Sequence, residues 1–231
     1  MRSAFLYEAA SAEGDPVSEL LPGERFAVIE YAGGWAWGYS MGDRRVGYVE
    51  AIQLTEPTEP THIVCEPSAP IHPGGGIDSP ILCRVPMGAR LHGVEKGPCL
   101  HTEAGCVPMC HLRRVGECEE DPVTVAERLV GVPFAKGGRT FRGLDGPALV
   151  QLAFGLCGPA VPREIDQQRV MGETVADEEP MRRGDIVFAG DVVAIAVDGE
   201  RVVHASAAAG AVTVEAVTAL GEVALRRRIG R

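Results

Sequence analysis

Glycine and proline occur along the whole length of this sequence and limit the kind of fold that it can adopt. Among its 231 residues there are 29 glycines and 17 prolines, which favours many turns and a body built of short strands. Hydrophobic residues make up 45% of the chain, so it has enough apolar side chains to bury real cores. The length fits one large domain or two to three small ones.

The charge of the chain limits its partners. A formal net charge of −10 argues against nucleic acid, because phosphate binding needs a basic face. We interpret the basic run 226–228 as a solvated terminal strand. No apolar run approaches the ~20 residues of a membrane helix, and residues 1–15 lack the apolar segment of a secretory signal. We therefore expect a cytoplasmic protein with no nucleic-acid partner and no membrane segment.

The first half of the chain divides into two blocks of short β-like runs, which we place at residues 1–56 and 57–116. A linker rich in proline and acid, at residues 55–60, separates their patterns. The run 21–26 in the first block parallels the run 85–91 in the second, which indicates a diverged internal duplication. Each block has the size of a small all-β barrel.

The third block, residues 117–231, has helices first and strands afterwards. Asp121 and Pro122 predict the start of a helix over 122–130, and a second helix is predicted over 147–156. Strand-like runs then follow at 185–188, 192–197, 201–204 and 212–215. This order predicts an α+β domain with an antiparallel sheet.

The segment 143–151 reads Gly-Leu-Asp-Gly-Pro-Ala-Leu-Val-Gln. It resembles the nucleophile segment of the NlpC-type cell-wall cysteine peptidases, usually written Gly-Leu-Asp-Cys-Ser-Gly-Leu-Val-Gln. Gly146 stands where that family has its cysteine. The resemblance implies a papain-like α+β domain at 117–231, preceded by two bacterial SH3-like barrels, which often come before such domains.

The resemblance also locates the other catalytic positions. A papain-like peptidase needs a thiolate, an imidazole to exchange the proton, and a polar group to orient that imidazole. After the intact segment 184–188, an ungapped match puts Val192 in place of the catalytic histidine, and a slip of one residue would put Asp191 there. His204 fits the third, orienting position. The sequence therefore predicts no catalytic residue. Gly146, Val192 and His204 occupy the three positions that are catalytic in the family, and we call them the relic positions.

Several substrate-binding positions of the family are matched in part. Asp145 is either the residue that holds the amine of a peptide substrate or the N-cap of the second helix. Arg163 and Gln168 match a family segment in which Ile165 replaces a serine. In the loop 133–139 the family's tyrosine and tryptophan are replaced by Phe134 and Lys136. We take Asp145, Arg163, Gln168 and His204 as candidate ligand-binding residues.

Trp35 and Trp37, in the run Gly-Trp-Ala-Trp-Gly, are further candidate ligand-binding residues and lie in the first block. Aromatic side chains dominate both cores and interfaces, so these two residues either pack the first barrel or contact a ligand. Both readings stay open on the sequence alone.

The seven cysteines do not predict a cofactor. Their number is odd, which favours reduced thiols over a complete disulfide framework. Cysteines and histidines gather between Cys99 and Cys118, but with spacings that fit no common zinc site. Cys99 and Cys106 could pair across a hairpin if oxidised. Cys157 lies eleven residues beyond Gly146, about 16 Å along a helix, too far to replace the missing thiol. We predict no metal and no cofactor.

These observations predict a catalytically inactive homologue of the endopeptidases that cut γ-D-glutamyl–diaminoacyl bonds in murein peptides. Such a pseudoenzyme would be a binding or regulatory protein, with a murein peptide or another protein as its partner. Two alternatives remain at this point: a protein-interaction scaffold without a ligand pocket, and a hydrolase that uses other chemistry.

Overall fold

A computed structural model describes residues 2–74 and 76–230, and the chain divides into two compact units, Met1–Cys118 and Glu119–Arg231. We call them the N-terminal and the C-terminal unit. Both are mostly sheet, with few helices. Over the described residues, no helix has the length and apolar character needed to cross a membrane.

The first half of the N-terminal unit contains five strands. They are β1 (Ala4–Leu6), β2 (Ser18–Leu20), β3 (Phe26–Ala32), β4 (Trp35–Ser40) and β5 (Val46–Glu50). β1 pairs with β2, and β3, β4 and β5 form an antiparallel meander. Ala4, Leu6, Leu20 and Val49 form its core, which is small and aliphatic.

The second half of the N-terminal unit has eight short strands and a core of its own. They are β6 (His62–Val64), β7 (Ser68–Ile71), β8 (Cys83–Pro86), β9 (Arg90–Leu91), β10 (Val94–Lys96), β11 (Cys99–Thr102), β12 (Gly105–Pro108) and β13 (Leu112–Arg114). They pair as β10-β11-β12, β13-β6-β9 and β7-β8. Residues such as Ile71, Leu91 and Leu100 fill the core. Cys99 and Cys106 are joined by a disulfide across the β11–β12 hairpin.

The two halves approach each other closely at one backbone contact. The Arg90 amide donates a hydrogen bond to the Pro22 carbonyl at 2.8 Å. A Cβ atom on the neighbouring Gly23 would lie 2.1 Å from the Arg90 carbonyl oxygen, and Gly23 has a φ of +79°. Both conditions require glycine, so this residue permits the contact.

The C-terminal unit contains three helices and one large antiparallel sheet. The helices are α1 (Pro122–Arg128), α2 (Gly146–Gly155) and α3 (Ile165–Gln168). The strands are β14 (Arg139–Thr140), β15 (Gly143–Leu144), β16 (Glu173–Thr174), β17 (Ile186–Ala189), β18 (Val192–Ala196), β19 (Arg201–Ser206), β20 (Ala211–Ala216) and β21 (Leu225–Arg228). Six of these strands form a sheet in the order β16-β21-β17-β18-β19-β20.

The helix starts follow the sequence closely. Asp121 caps α1 by accepting a hydrogen bond from the Val123 amide, and Pro122 opens the helix, both as predicted. α1 ends at Arg128, two residues before the predicted end. α2 packs against α1, β18 and β19, and its residues 148–154 are buried.

The arginines at 226–228 lie on the last strand, β21, as predicted, but they are half-buried and hydrogen-bonded within the chain, so the expectation of a solvated run was wrong. Arg226 donates to the carbonyls of Ala176, Asp177 and Glu179, and Arg227 donates to those of Met171 and Gly172. The side chain of Arg228 donates two hydrogen bonds to Asp185, at 2.7 and 2.8 Å. The three guanidinium groups thus anchor the segment 171–185 to β21.

We predict that Arg228→Met lowers the free energy of unfolding by about 2 to 3 kcal/mol, because it leaves the Asp185 carboxylate buried without its cation. Asp185 is 1% exposed, but Arg228 is partly exposed and the Arg182 amide still donates a hydrogen bond to Asp185. The expected loss of unfolding free energy is therefore small for a buried ion pair. Urea unfolding at pH 7 measures the change.

The control for this variant is Arg201→Met, which breaks an exposed pair with Asp198. Exposed pairs add little, so its unfolding midpoint should stay near that of the wild type. Equal midpoints for the two variants would contradict the structural role of Arg228.

Candidate functional site

The carboxylate of Asp145 organises the start of α2. One oxygen accepts a hydrogen bond from the Ala148 amide at 3.0 Å, so Asp145 is an N-cap, one of the two roles that the sequence left open. The other oxygen accepts from the Gly137 amide at 2.8 Å and from the Arg163 guanidinium at 2.6 Å. Asp145 therefore joins the helix start to two loops, and both of its oxygens are engaged within the chain.

Arg163 and Gln168, which we predicted as ligand-binding residues, lie behind this helix start. Arg163 is 4% exposed and pairs with Asp145. Gln168 is fully buried and donates to the carbonyls of Pro147 and Pro162, at 3.0 and 2.8 Å. Their contacts hold the backbone of the helix start in place, and neither residue lines the cavity described next.

A cavity of about 810 Å³ opens at the N-terminus of α2. It brings together the three relic positions, Gly146, Val192 and His204. The wall also includes Phe134, Asp145, Glu215, Leu220 and the residues 205–209, among which four are alanine. Small apolar side chains and carboxylates thus form most of this surface.

Val193 occupies the space beside Gly146. A Cβ atom built on Gly146 would lie 3.1 Å from the Val193 Cγ1 atom and 3.2 Å from its carbonyl oxygen. Both distances are tighter than ordinary van der Waals contact. The residue nearest to a side chain at 146 is therefore Val193, one position beyond the predicted Val192. Asp191 also lines the cavity, and none of the three carries an imidazole.

His204 forms a polar pair that the sequence did not reveal. Its ring is 4% exposed, and its Nε2 atom hydrogen-bonds to the Glu215 carboxylate on β20. The other ring nitrogen, Nδ1, is buried, and no group of the described residues hydrogen-bonds to it. On β18 the direct cross-strand partner of His204 is Ala194, and Val192 lies two residues before Ala194; neither of these side chains can form a hydrogen bond. On β20 the direct partner of His204 is Thr213.

The tryptophan candidates belong to the N-terminal unit. Trp35 and Trp37 are half-buried and alternate with the fully buried Ala36 on β4. Their side chains therefore point away from the aliphatic core of that half.

The cysteine-rich segment offers no metal centre in the described part of the chain. Within residues 2–74 and 76–230, no group of three or more His, Cys, Asp or Glu side chains is placed to hold a metal ion. Cys99 and Cys106 bond to each other. Cys157 lies just beyond the C-terminal end of α2, at the opposite end of that helix from Gly146.

Two family models match the chain. Residues 6–54 match the bacterial dipeptidyl-peptidase SH3 domain, and residues 131–221 match the NlpC/P60 family. An NlpC/P60 family protein from Bacillus cereus has a similar structure, with a TM-score of 0.83 and 17% identity over 98% of this chain and 99% of its own. NlpC2 from Trichomonas vaginalis is also 17% identical, with a TM-score of 0.50 over 99% of this chain and 93% of its own. At these identities the similarity concerns the fold. No curated protein matches the sequence significantly.

We predict that Gly146→Ala lowers the free energy of unfolding by about 1 kcal/mol, because the added methyl group overpacks against Val193 by more than the helix gains from alanine. Urea unfolding, followed by circular dichroism, measures the change.

Gly155→Ala is the matched control in the same helix. A Cβ atom there has nothing within 4 Å, so we expect it to raise stability by about 0.5 to 1 kcal/mol. If both alanines stabilised the protein equally, Val193 would not limit the space at residue 146.

Proposed function

The chain carries a bacterial SH3 domain at residues 6–54 and an NlpC/P60 domain at residues 131–221, and from this premise we propose that it is a catalytically inactive homologue of the murein-peptide endopeptidases. On this proposal it binds a small peptide or cell-wall fragment without cutting it. The observation that carries the proposal is the cavity at the start of α2, which is lined by Gly146 and Val192, the positions that the resemblance assigns to the thiol and its base.

Cysteine-peptidase chemistry needs a thiolate and an imidazole within hydrogen-bond reach. The helix N-terminus that would stabilise a thiolate is present, but glycine has no nucleophile to place there. Val193 fills the adjacent space, and His204 is engaged by Glu215. These contacts support inactivity independently of one another.

The size and lining of the cavity favour ligand binding over a scaffold without a pocket. Its volume of about 810 Å³ lies within the range of small-molecule sites, roughly 300 to 1,000 Å³. The Asp191 and Glu215 carboxylates on its wall suit a ligand with an amino group. Hydrogen bonds that hold Asp145 and Gln168 fix the start of α2, which forms part of the cavity wall.

One observation favours a second candidate function, a hydrolase with other chemistry. His204 and Glu215 form a pair on the cavity wall, and a histidine polarised by a carboxylate is a common general base. Such a base could act on water without a cysteine. We rank this function second because no described nucleophilic side chain is hydrogen-bonded to His204.

We also propose the finer architecture that the sequence suggested: two SH3-like barrels, at residues 1–56 and 57–116, followed by a papain-like domain at 117–231. The two halves of the N-terminal unit have separate cores, which supports two barrels. The position of the α2 N-terminus at the cavity beside β18 and β19 supports a papain-like arrangement.

The binding part of the proposal is tested by calorimetric titration with L-alanyl-γ-D-glutamate and with the corresponding diaminopimelate tripeptide. We expect saturable binding by the wild type and at least tenfold weaker binding by Ala207→Trp, whose indole would fill the cavity. Ala176→Trp, on an exposed residue outside the cavity, is the control and should bind as the wild type does. Absence of heat with both peptides would reject ligand binding at this site.

The catalytic part of the proposal predicts no release of diaminopimelate by the wild type or by Gly146→Cys. Loss of either the nucleophile or the base alone costs a triad hydrolase roughly 10⁶-fold in kcat, so one restored residue is not enough. Chromatography of the tripeptide after long incubation is the assay.

Turnover by Gly146→Cys alone would contradict our assignment of Val192 to the base position. Turnover by the wild type that is lost in His204→Gln would instead establish the second candidate function.

A further inference from the structure

The first half of the N-terminal unit places two tryptophans and three tyrosines outside its core. Trp35, Trp37 and Tyr39 alternate with buried residues along β4. Tyr48 lies opposite Trp37 in the neighbouring strand, and Tyr7 forms a β-bridge with Tyr48. The rings of Tyr7 and Trp35 meet edge to face, with centroids 5.8 Å apart at 89°. We call these five half-buried side chains the aromatic face.

The composition of this face is unusual for a packing surface. The whole chain has two tryptophans and four tyrosines, and both tryptophans and three of the tyrosines lie here. The core on the other side of the sheet uses Ala4, Leu6, Leu20 and Val49 instead. Tryptophan and tyrosine are enriched where one protein binds another, so their placement indicates a binding surface.

Carboxylates flank the two indoles. In the strand register Glu50 lies directly opposite Trp35, and Glu30 lies directly opposite Trp37. Side chains of such pairs share one face of the sheet, with Cβ atoms about 5 Å apart. An indole ring beside a carboxylate attracts a cation in two ways, through its π face and through the opposite charge.

The face already binds one cation of its own chain. The guanidinium carbon of Arg44 lies 5.3 Å from the centre of the Tyr39 ring. This contact is at the Tyr39 end of the face, whereas Glu30 and Glu50 are beside the tryptophans. The acidic and aromatic end is thus complementary to a second guanidinium or ammonium group.

We propose that the aromatic face binds a basic segment of a partner protein, whose arginine or lysine side chain stacks on Trp35 and Trp37 and pairs with Glu30 and Glu50. The partner is a peptide segment of positive charge, which the net charge of −10 also attracts. The aromatic face differs from the cavity of the C-terminal unit, so this inference does not depend on the proposed function.

The fluorescence of the native protein tests the inference directly, because Trp35 and Trp37 are its only tryptophans and both report on this face. The full chain is titrated with the blocked pentapeptide Gly-Arg-Gly-Arg-Gly and with Gly-Glu-Gly-Glu-Gly. We expect a saturable change with the first, at least tenfold weaker binding in 300 mM than in 50 mM salt, and no change with the second.

The double variant Glu30→Gln, Glu50→Gln should weaken binding of the arginine peptide at least tenfold. Glu103→Gln, on an exposed turn residue outside the face, should leave it unchanged. Circular dichroism checks that each variant is folded. Equal binding by the double variant and the wild type, or saturation by the acidic peptide, would overturn the inference. Saturation by a chitin tetrasaccharide without any response to the arginine peptide would show a sugar-stacking surface and overturn it as well.

Discussion

The hydrogen bonds of Asp145 are the constraint on which the candidate site depends. One carboxylate caps α2, holds the loop at Gly137 and pairs with the buried Arg163. Since the residue that follows it is Gly146, the same carboxylate fixes where the helix N-terminus meets the cavity. The shape of the site is therefore maintained by groups that take no part in proton transfer. The contacts that give the site its form are thus separate from the positions at which the proposed function places the missing reactive groups.

Gln168 extends this framework. Its amide bridges the carbonyls of Pro147 and Pro162, two residues that cannot donate backbone hydrogen bonds themselves. The side chain is fully buried, so the bridge is shielded from water. Gln168, which a family motif suggested as a ligand contact, is here in contact with backbone. A motif match identifies a position in a fold, and the contacts of that position decide its role.

Local signals in the sequence predicted local structure well. Asp121 was predicted as an N-cap, and an N-cap was one of the two roles left open for Asp145, because a carboxylate before an apolar run satisfies free amide groups. That rule needs no tertiary information. Motifs of consecutive residues also indicated an SH3 domain and an NlpC/P60 domain, and family models match both. Helix ends differed by only one or two residues.

Features that depend on strand register could not be predicted in the same way. The pair of His204 and Glu215 crosses two strands diagonally, and its existence follows from the alignment of β19 with β20. Val193 rather than Val192 lies against Gly146 because of the direction of its side chain, which spacing alone does not give. The anchoring role of the C-terminal arginines also depends on a segment some fifty residues away.

The contact between Gly146 and Val193 has a consequence for how the sequence can change. Any residue other than glycine at 146 brings a Cβ atom to 3.1 Å from Val193, so a codon change at one position is coupled to the other. A sequence that first gained a cysteine at 146 would pass through a less stable protein, and one that first lost volume at Val193 would open a void in a packed strand. Neither order of mutations is neutral, so a side chain at 146 is hard to introduce by single steps.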